Sequence, residues 1–380
     1  MAEDMRCRSC RGGRGTTILD LGEQPPWDRM PWAGTPLPDP AFPLRMWLCA
    51  DCGLAQLETD AEVAEELPGV EARAVAEHSD RAVGRLAREG VVRPGATVVE
   101  FGSPHGESWL SRLTARGMAA AGHDAPTGHA DLVIDFYGLL HEPDQDAALR
   151  RRAELLAPGG TLALQLLPLG TLLRDGQWYD LRHGHYAYWS LPALDAALRR
   201  HGLGVHRAWW YPMAGGTLLV TARAGAEPDG ETRRLLREED ELGVTDPARL
   251  AGLQAAADRA HDLRDWLGAE RAAGRTVAGY GAASRAVPLV CHAGLRADLF
   301  AAVGDASPAK QGRRMPGTDV PIVSPAELAE LRPDRVVLFL AELAGEVRAA
   351  LPEIESAGGR WVVLDPGPRL LTPEPSLSTG

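Results

Sequence analysis

Apolar and polar positions change their rhythm twice along the chain. Up to about residue 60 there is little helical period, and a proline-rich loop runs from Gln24-Pro25-Pro26-Trp27 to Pro43. So little apolar material cannot build a core, so something other than burial must hold this stretch together. Residues 61–92 carry a helical pattern. A buried-strand run then opens at Ala96 and ends in a glycine turn, Val98-Val99-Glu100-Phe101-Gly102. It predicts a helix over 107–116, a strand over 118–124, a strand over 130–135 and a helix over 145–156. Pro158-Gly159-Gly160 should turn the chain into a strand over 161–167. A loop with Trp178, Tyr179, His183 and His185 precedes a helix over 191–201, and strands over 204–211 and 216–224 are spaced as a hairpin.

Residues 226–245 are charged and read as an exposed linker passing into a helix, followed by a helical stretch over 247–273. A third regime starts with the strand 276–281. It continues through a helix, a strand (299–305), a helix (325–331), a strand (335–340), a helix (344–357) and a strand (361–365). The tail beyond Pro366 is expected to be disordered. Alternating strands and helices predict an α/β fold, with a doubly wound sheet in the second regime and a second α/β unit in the third, and the pattern divides the chain at 1–60, 61–225 and 226–380.

Composition narrows the function. The 40 basic and 52 acidic residues leave a net charge of −12, which argues against a nucleic-acid or membrane-surface partner. The N-terminal residues lack the apolar run of a signal peptide. The longest apolar stretch, over 161–173, is too short to cross a bilayer and contains Pro168 and Gly170. A cytoplasmic protein with reduced cysteines is expected.

Four of the five cysteines form two knuckles, Cys7-x-x-Cys10 and Cys49-x-x-Cys52, with 38 residues between them. Four thiolates satisfy a tetrahedral zinc ion and leave no open position, so the metal is expected to be structural. Cys291 lies in an apolar helix and reads as core.

The turn Glu100-Phe101-Gly102-Ser103-Pro104-His105-Gly106 joins a strand to a helix, and its backbone N–H groups could meet a ligand or form only a tight turn. Asp124 ends the next apolar run, where a carboxylate either accepts two ribose hydroxyls or sits in a surface turn. His141, His183 and His185 follow strand ends on one sheet edge, the edge where open α/β sheets bind ligands. Imidazole can take and return a proton near neutrality, which makes these three the acid/base candidates. Gly279-Tyr280-Gly281-Ala282-Ala283-Ser284-Arg285 lacks a full G-x-G-x-x-G, which argues against a nicotinamide cofactor. Lys310, Arg313 and Arg314 could hold phosphates or form a solvated basic loop.

These pieces together resemble the sugar C-methyltransferases that act on nucleotide-linked keto-sugars in bacterial natural-product pathways. The resemblance rests on the two knuckles, Leu19-Asp20-Leu21-Gly22 with Gln24-Pro25, Phe42-Pro43-Leu44, Cys52-Gly53-Leu54, Gly279-Tyr280-Gly281-Ala282, Lys310-Gln311-Gly312 and Pro316-Gly317-Thr318. It implies a small zinc-binding N-terminal domain, a class I methyltransferase-like doubly wound sheet and a C-terminal Rossmann-like domain. It also implies S-adenosylmethionine (SAM) held by Glu100, Gly102, Ser103, Gly106 and Asp124. His185 would be the base that forms an enolate, with His141 and His183 beside it and Arg182, Tyr186, Tyr280, Lys310 and Arg314 as substrate contacts.

The chain departs from the family pattern in places. Arg182 and Gly184 replace a tyrosine and a glutamate in the histidine loop, Pro104-His105 replaces an Asn-Asp pair, and 71–89 contain no tyrosine. Only six residues separate Asp124 from Asp131, a reach of at most about 21 Å. No crossover helix fits there, so the sheet should be truncated and the adenine side of the site rebuilt or lost. Three readings follow. One is SAM-dependent C-methyl transfer. Another is a non-methylating proton-transfer reaction (isomerase, cyclase, lyase or decarboxylase), with Arg182 clamping a carboxylate or phosphate. The last is a non-catalytic partner of a biosynthetic enzyme.

Overall fold

The computed structural model describes residues 5–59, 67, 69–70, 72–103, 108–213, 215–364 and 367–372. The chain divides into two compact units. One comprises Met1–Gly22, Pro43–Glu66 and Glu71–Ala255, and the other Glu23–Phe42, Leu67–Val70 and Ala256–Gly380.

The first unit begins with strands β1 (Gly15–Gln24), β2 (Phe42–Cys49) and β3 (Ala55–Leu57), which the sequence pattern had not signalled. They lie side by side, and a strand more than a hundred residues away extends their sheet. The order is β1-β2-β3-β8, and β8 is Ala187–Tyr188. Local periodicity cannot register so distant a partner.

The main sheet is built from β4 (Thr97–Gly102), β5 (Ala119–Ala121), β6 (Ala130–Phe136), β7 (Leu156–Leu166), β9 (Leu203–Tyr211) and β10 (Thr217–Ala224), in the order β5-β4-β6-β7-β10-β9. The first four in that order run parallel, and β9 and β10 form the expected antiparallel hairpin. Helices α1 (Arg73–Arg88) and α2 (Leu110–Thr114) belong to one face. There Ala82, Val83 and Leu86, at helical spacing, pack with Val98, Trp109, Ile134 and Phe136. The opposite face is covered by α3 (Gln145–Leu155) and α5 (Leu191–Arg200), together with knuckle residues Cys7, Trp47, Cys49 and Leu54. Ser190 caps α5 by accepting from Ala193 N–H, and Asp144 caps α3 through Ala147 N–H.

The short link between Asp124 and Asp131 is accommodated by shortening β5 to three residues. β5 reaches only to the level of Val99 on β4, while β6 enters level with the start of β4. The eight residues 122–129 therefore return over half a strand without a helix. Arg151 donates to Ala125 O (3.1 Å), and Gly128 N–H donates to Glu154 O (2.8 Å).

Two connecting segments hold helices with buried residues. Pro168-Leu169-Gly170 starts a helix, α4 (Leu169–Asp175), in which a Cβ on Gly170 would lie 2.6 Å from Glu239 Oε1. The segment read as an exposed linker passing into a helix does form one, α6 (Gly230–Leu242), but it buries Thr232 and Glu239. The stretch over 247–273 divides into α7 (Pro247–Asp258) and α8 (Ala260–Ala272).

The second unit holds a sheet of β11 (Val277–Tyr280), β12 (Val303–Gly304), β13 (Ile322–Val323), β14 (Arg335–Leu338), β15 (Arg360–Leu364) and β16 (Pro368–Leu370), in the order β13-β12-β11-β14-β15-β16. Only β16 is antiparallel, and its presence corrects the reading of the tail as disordered from Pro366 onward. The accompanying helices are α9 (Ala286–His292), α10 (Pro325–Glu330), α11 (Ala344–Ala350) and α12 (Pro352–Ser356). Pro352 divides what reads in sequence as one helix into two.

Candidate functional site

The four knuckle thiols converge. Their sulfurs all lie within 4.8 Å of one another, with Cys7–Cys52 at 3.5 Å and Cys10–Cys49 at 3.6 Å. A tetrahedron with Zn–S of about 2.3 Å has S···S edges of about 3.8 Å, so the set closes around zinc with little movement. Backbone N–H groups of Ser9 and Cys10 point at Cys7 Sγ, that of Gly12 at Cys10 Sγ and that of Asp51 at Cys49 Sγ, each at 3.4 Å. Such donors stabilise thiolates. The Cys52 thiol donates to Cys7 and holds it down at about 5, whereas burial pushes Cys49 up to about 11. A divalent cation removes the mutual repulsion and lets all four ionise.

The histidine loop is sewn into the same sheet. β3 pairs with β8 (Ala55 opposite Tyr188, Gln56 opposite Ala187), and Tyr186 N–H donates to Leu140 O at 2.7 Å. This joins the His183-Gly184-His185 turn to the 3₁₀ turn Leu139–His141 that follows β6. The His141 and His185 rings meet edge to face, with centroids 4.7 Å apart. His141 Nδ1–H donates to Gly184 O at 3.1 Å, so in the neutral ring Nε2 is the basic nitrogen. His185 is buried and His141 half-buried. His183 donates from Nε2 to Pro43 O (3.3 Å), which ties the loop to the start of β2. Arg182 is buried and faces Asp180 Oδ1 at 3.4 Å, and its N–H donates to the Tyr188 hydroxyl. The Tyr186 ring lies under the Arg8 guanidinium, 4.7 Å from its carbon.

At the other end of the same edge, Glu100 accepts from Trp109 N–H at 2.6 Å and from the Ser108 hydroxyl, and so holds the chain entering α2. Gly102 is exposed at the end of β4 and Ser103 is buried beside it; Gly106 lies outside the described residues. Asp124 is exposed, and its carboxylate makes no hydrogen bond among the described residues. A Cβ on Gly122 would stand 2.6 Å from Asp124 Oδ1, so the glycine leaves that carboxylate its space. A free carboxylate at the end of the second strand in sequence suits two ribose hydroxyls, and the residues present fit SAM there. His123 stacks flat on Phe101 (4.6 Å, 3°), whose ring also lies 4.1 Å from the Arg152 guanidinium. Arg152 is anchored by Asp135 at 2.6 Å.

A second polar cluster escaped the sequence reading. The Tyr137 hydroxyl donates to Thr217 Oγ1 (2.9 Å), and Gln165 Nε2 donates to the Tyr137 hydroxyl (3.2 Å) and to His78 Nε2 (2.6 Å). Tyr137 has φ +57°, an uncommon angle for a bulky residue. Burial holds the His78 imidazole below its ordinary range. The only sequence sign was polar residues at apolar strand ends and in the buried stripe of α1.

In the second unit, Lys310 Nζ donates to Ala282 O at 3.0 Å. Arg314 grips both oxygens of Asp39 at 2.6 Å and donates to Thr35 O and Thr318 O. Tyr280 is half-buried, edge-on to Trp361. Burial raises the Cys291 thiol to about 12, and it donates to Pro316 O.

Three family models match consecutive parts of the chain: a zinc binding domain over 7–65, a methyltransferase domain over 72–208 and a C-methyltransferase C-terminal domain over 212–366. The C-methyltransferase NovU of Streptomyces niveus is 27% identical over 417 residues, covering 98% of each chain. Among solved structures, similar ones include the 1,6-didemethyltoxoflavin-N1-methyltransferase of Burkholderia thailandensis, with 15% identity, 46% of this chain and 96% of that one covered, and a TM-score of 0.29. Another is the YcgJ protein of Bacillus subtilis, with 11% identity, coverage of 39% and 99%, and a TM-score of 0.30. No helix among the described residues is long and apolar enough to cross a membrane. With a four-thiolate cluster in the first matched domain and a parallel sheet in the second, the chain carries a zinc-binding domain, a methyltransferase domain and a C-methyltransferase C-terminal domain in that order, and it is an enzyme of the methyltransferase type.

Proposed function

We propose that the enzyme methylates carbon next to a ketone in a nucleotide-linked keto-sugar or related intermediate of bacterial natural-product biosynthesis, in the cytoplasm, with His185 as base. The observation that carries this reading is the His141–His185 pair at the carbonyl edge of the sheet. Two imidazolium charges 4.7 Å apart would repel by roughly 3.5 kcal/mol at an effective dielectric of about 20. The pair therefore favours one neutral ring, able to take a proton, beside one that can give a proton or a hydrogen bond. His185 removes the proton α to the ketone, and the C–H electrons pass into the C–C–O enolate. His141 meets the enolate oxygen, which lowers the cost of the charge. His183 and Tyr186 hold the loop. Gly102, Ser103 and Asp124 would hold SAM, which supplies an electrophilic methyl group; Gly106 is assigned there by family resemblance alone.

The three-part division at 1–60, 61–225 and 226–380 assigns zinc, methyl transfer and substrate binding in turn. Support comes from the C-methyltransferase name of the Streptomyces relative and from the three consecutive family matches. The alternative with Arg182 as a carboxylate clamp draws no support from a guanidinium already facing Asp180.

Solvent exchange tests the base independently of methylation. In deuterated water with S-adenosylhomocysteine present, the enzyme should wash deuterium into the carbon beside the ketone of a nucleotide-linked keto-sugar, and His185→Ala should not. Exchange at an unchanged rate in that variant would remove His185 from the role.

A further inference from the structure

Arg8 stands between two of the zinc ligands, in Cys7-Arg8-Ser9-Cys10, yet its side chain leaves the knuckle. Its guanidinium donates to Leu57 O through Nε (3.3 Å) and Nη2 (3.2 Å) and to Pro143 O through Nη1 (3.2 Å). The same group lies 4.7 Å from the centroid of the Tyr186 ring. Pro143 is two residues beyond His141, and Tyr186 is the residue after His185. Leu57 in turn donates its N–H to Tyr186 O at 3.2 Å.

The backbone of Arg8 continues the connection. Its N–H donates to Gln56 Oε1 (2.8 Å), and its carbonyl accepts from Gln145 N–H (3.1 Å). The fully buried Gln145 side chain donates to Leu139 O (2.7 Å) and Glu142 O (2.6 Å), on either side of His141, and accepts from Trp189 Nε1 (2.9 Å). One knuckle residue thus reaches both histidine-bearing segments, which also meet directly through Tyr186 N–H to Leu140 O and His141 Nδ1–H to Gly184 O.

We propose that Arg8 is a positioning residue that clamps the His141 and His185 segments to the thiolate cluster, so that zinc occupancy sets the spacing of the two imidazoles. The inference rests on the proposed function only for what the spacing is used for. A planar guanidinium suits the task because it can donate in several directions within its plane while its face covers an aromatic ring. An ammonium would supply the charge at one point only.

The test uses the zinc-loaded full chain, with Arg8→Met to keep the stem and Arg8→Lys to keep the charge. Zinc per chain is measured first, then amide hydrogen exchange at Leu57 and Tyr186, and the imidazole proton and nitrogen resonances of His141 and His185. For Arg8→Met the expectation is undiminished zinc, exchange faster by about tenfold at these two amides (roughly one hydrogen bond's worth) and displaced resonances of both rings. Arg8→Lys should restore part of each change. Removing zinc by chelation from the unmutated protein should move the same amides and rings. Unchanged exchange and resonances in Arg8→Met would overturn the proposal, as would zinc loss in that variant together with normal ring resonances. None of these readouts depends on methyl transfer, so a failure of His185 as base would leave them intact.

Discussion

The two six-stranded sheets have nearly the same plan, four or five parallel strands closed by antiparallel ones, yet they treat polar residues near their strand ends differently. In the second unit the basic groups are consumed by the fold. Arg314 is locked on Asp39, Lys310 on Ala282 O, and Arg285 pairs with Glu342. In the first unit the corresponding edge keeps two imidazoles face to edge and a carboxylate, Asp124, that makes no hydrogen bond among the described residues. Similar topology therefore yields scaffold in one case and a candidate for chemistry in the other: the second sheet holds strand-end cations on carboxylates and a backbone carbonyl, whereas the first brings together two rings that can exchange protons and leaves one carboxylate exposed.

The largest effect expected from this contrast is on turnover. His185→Ala should lower methyl transfer by ~10²–10⁴-fold, the usual contribution of a positioned acid or base, with SAM affinity preserved. Kinetics and calorimetry on one preparation check both halves. In the second sheet the effect should fall on stability instead. Asp39→Ala leaves the buried Arg314 charge without its carboxylate, and denaturant unfolding should report a loss of about 3–5 kcal/mol with no change in SAM affinity. An Asp39→Ala chain that lost SAM binding at wild-type stability would erase the distinction between the two sheets.

Much of this was legible in the sequence, for physical reasons that differ by region. The knuckles announce themselves because metal ligation demands a residue type at a fixed spacing. Strands β4, β6, β7, β14 and β15 were readable because buried parallel strands are continuous apolar runs. The strands β1 to β3 were not readable, since a proline-rich loop separates β1 from β2 and β3 has only three residues, and the two-residue β8 that extends their sheet comes from the histidine loop. The fate of Arg314 was equally hidden: a basic residue in a glycine-punctuated loop reads as a free cation until Asp39, 275 residues earlier, is found against it. The histidine loop was recognisable, but its attachment through Arg8 was not, because nothing in Cys-Arg-Ser-Cys says which way the arginine points.

A smaller effect should separate the two ends of the first sheet's edge. Asp124→Ala should weaken SAM binding by about ten- to a hundredfold, the loss of roughly one to two hydrogen bonds to a charged group. Stability should stay within about 0.5 kcal/mol of wild type, as for an exposed side chain. Equal affinity would mean that the ribose is held elsewhere.

The smallest effect concerns His78. Burial depresses its affinity for a proton in the fold, with the nearby Arg81 charge acting in the same direction and the contact with Gln165 opposing them. A depressed histidine remains neutral while the unfolded chain takes up a proton, so its contribution is present above about pH 6.5 and is lost as the pH falls below that. His78→Gln should flatten the acid limb of the stability–pH curve, measured by denaturant unfolding at a series of pH values. An unchanged slope would mean that His78 is protonated in the folded enzyme.

The central claim is that the carbonyl edge of the first sheet is a working SAM site despite its shortened second strand. Calorimetric titration of SAM into the folded, zinc-loaded chain tests it most directly. The account predicts saturable binding at one site per chain, weakened by Asp124→Ala and unaffected by Asp39→Ala. Absence of saturable binding to a chain that is folded and carries its zinc would contradict it.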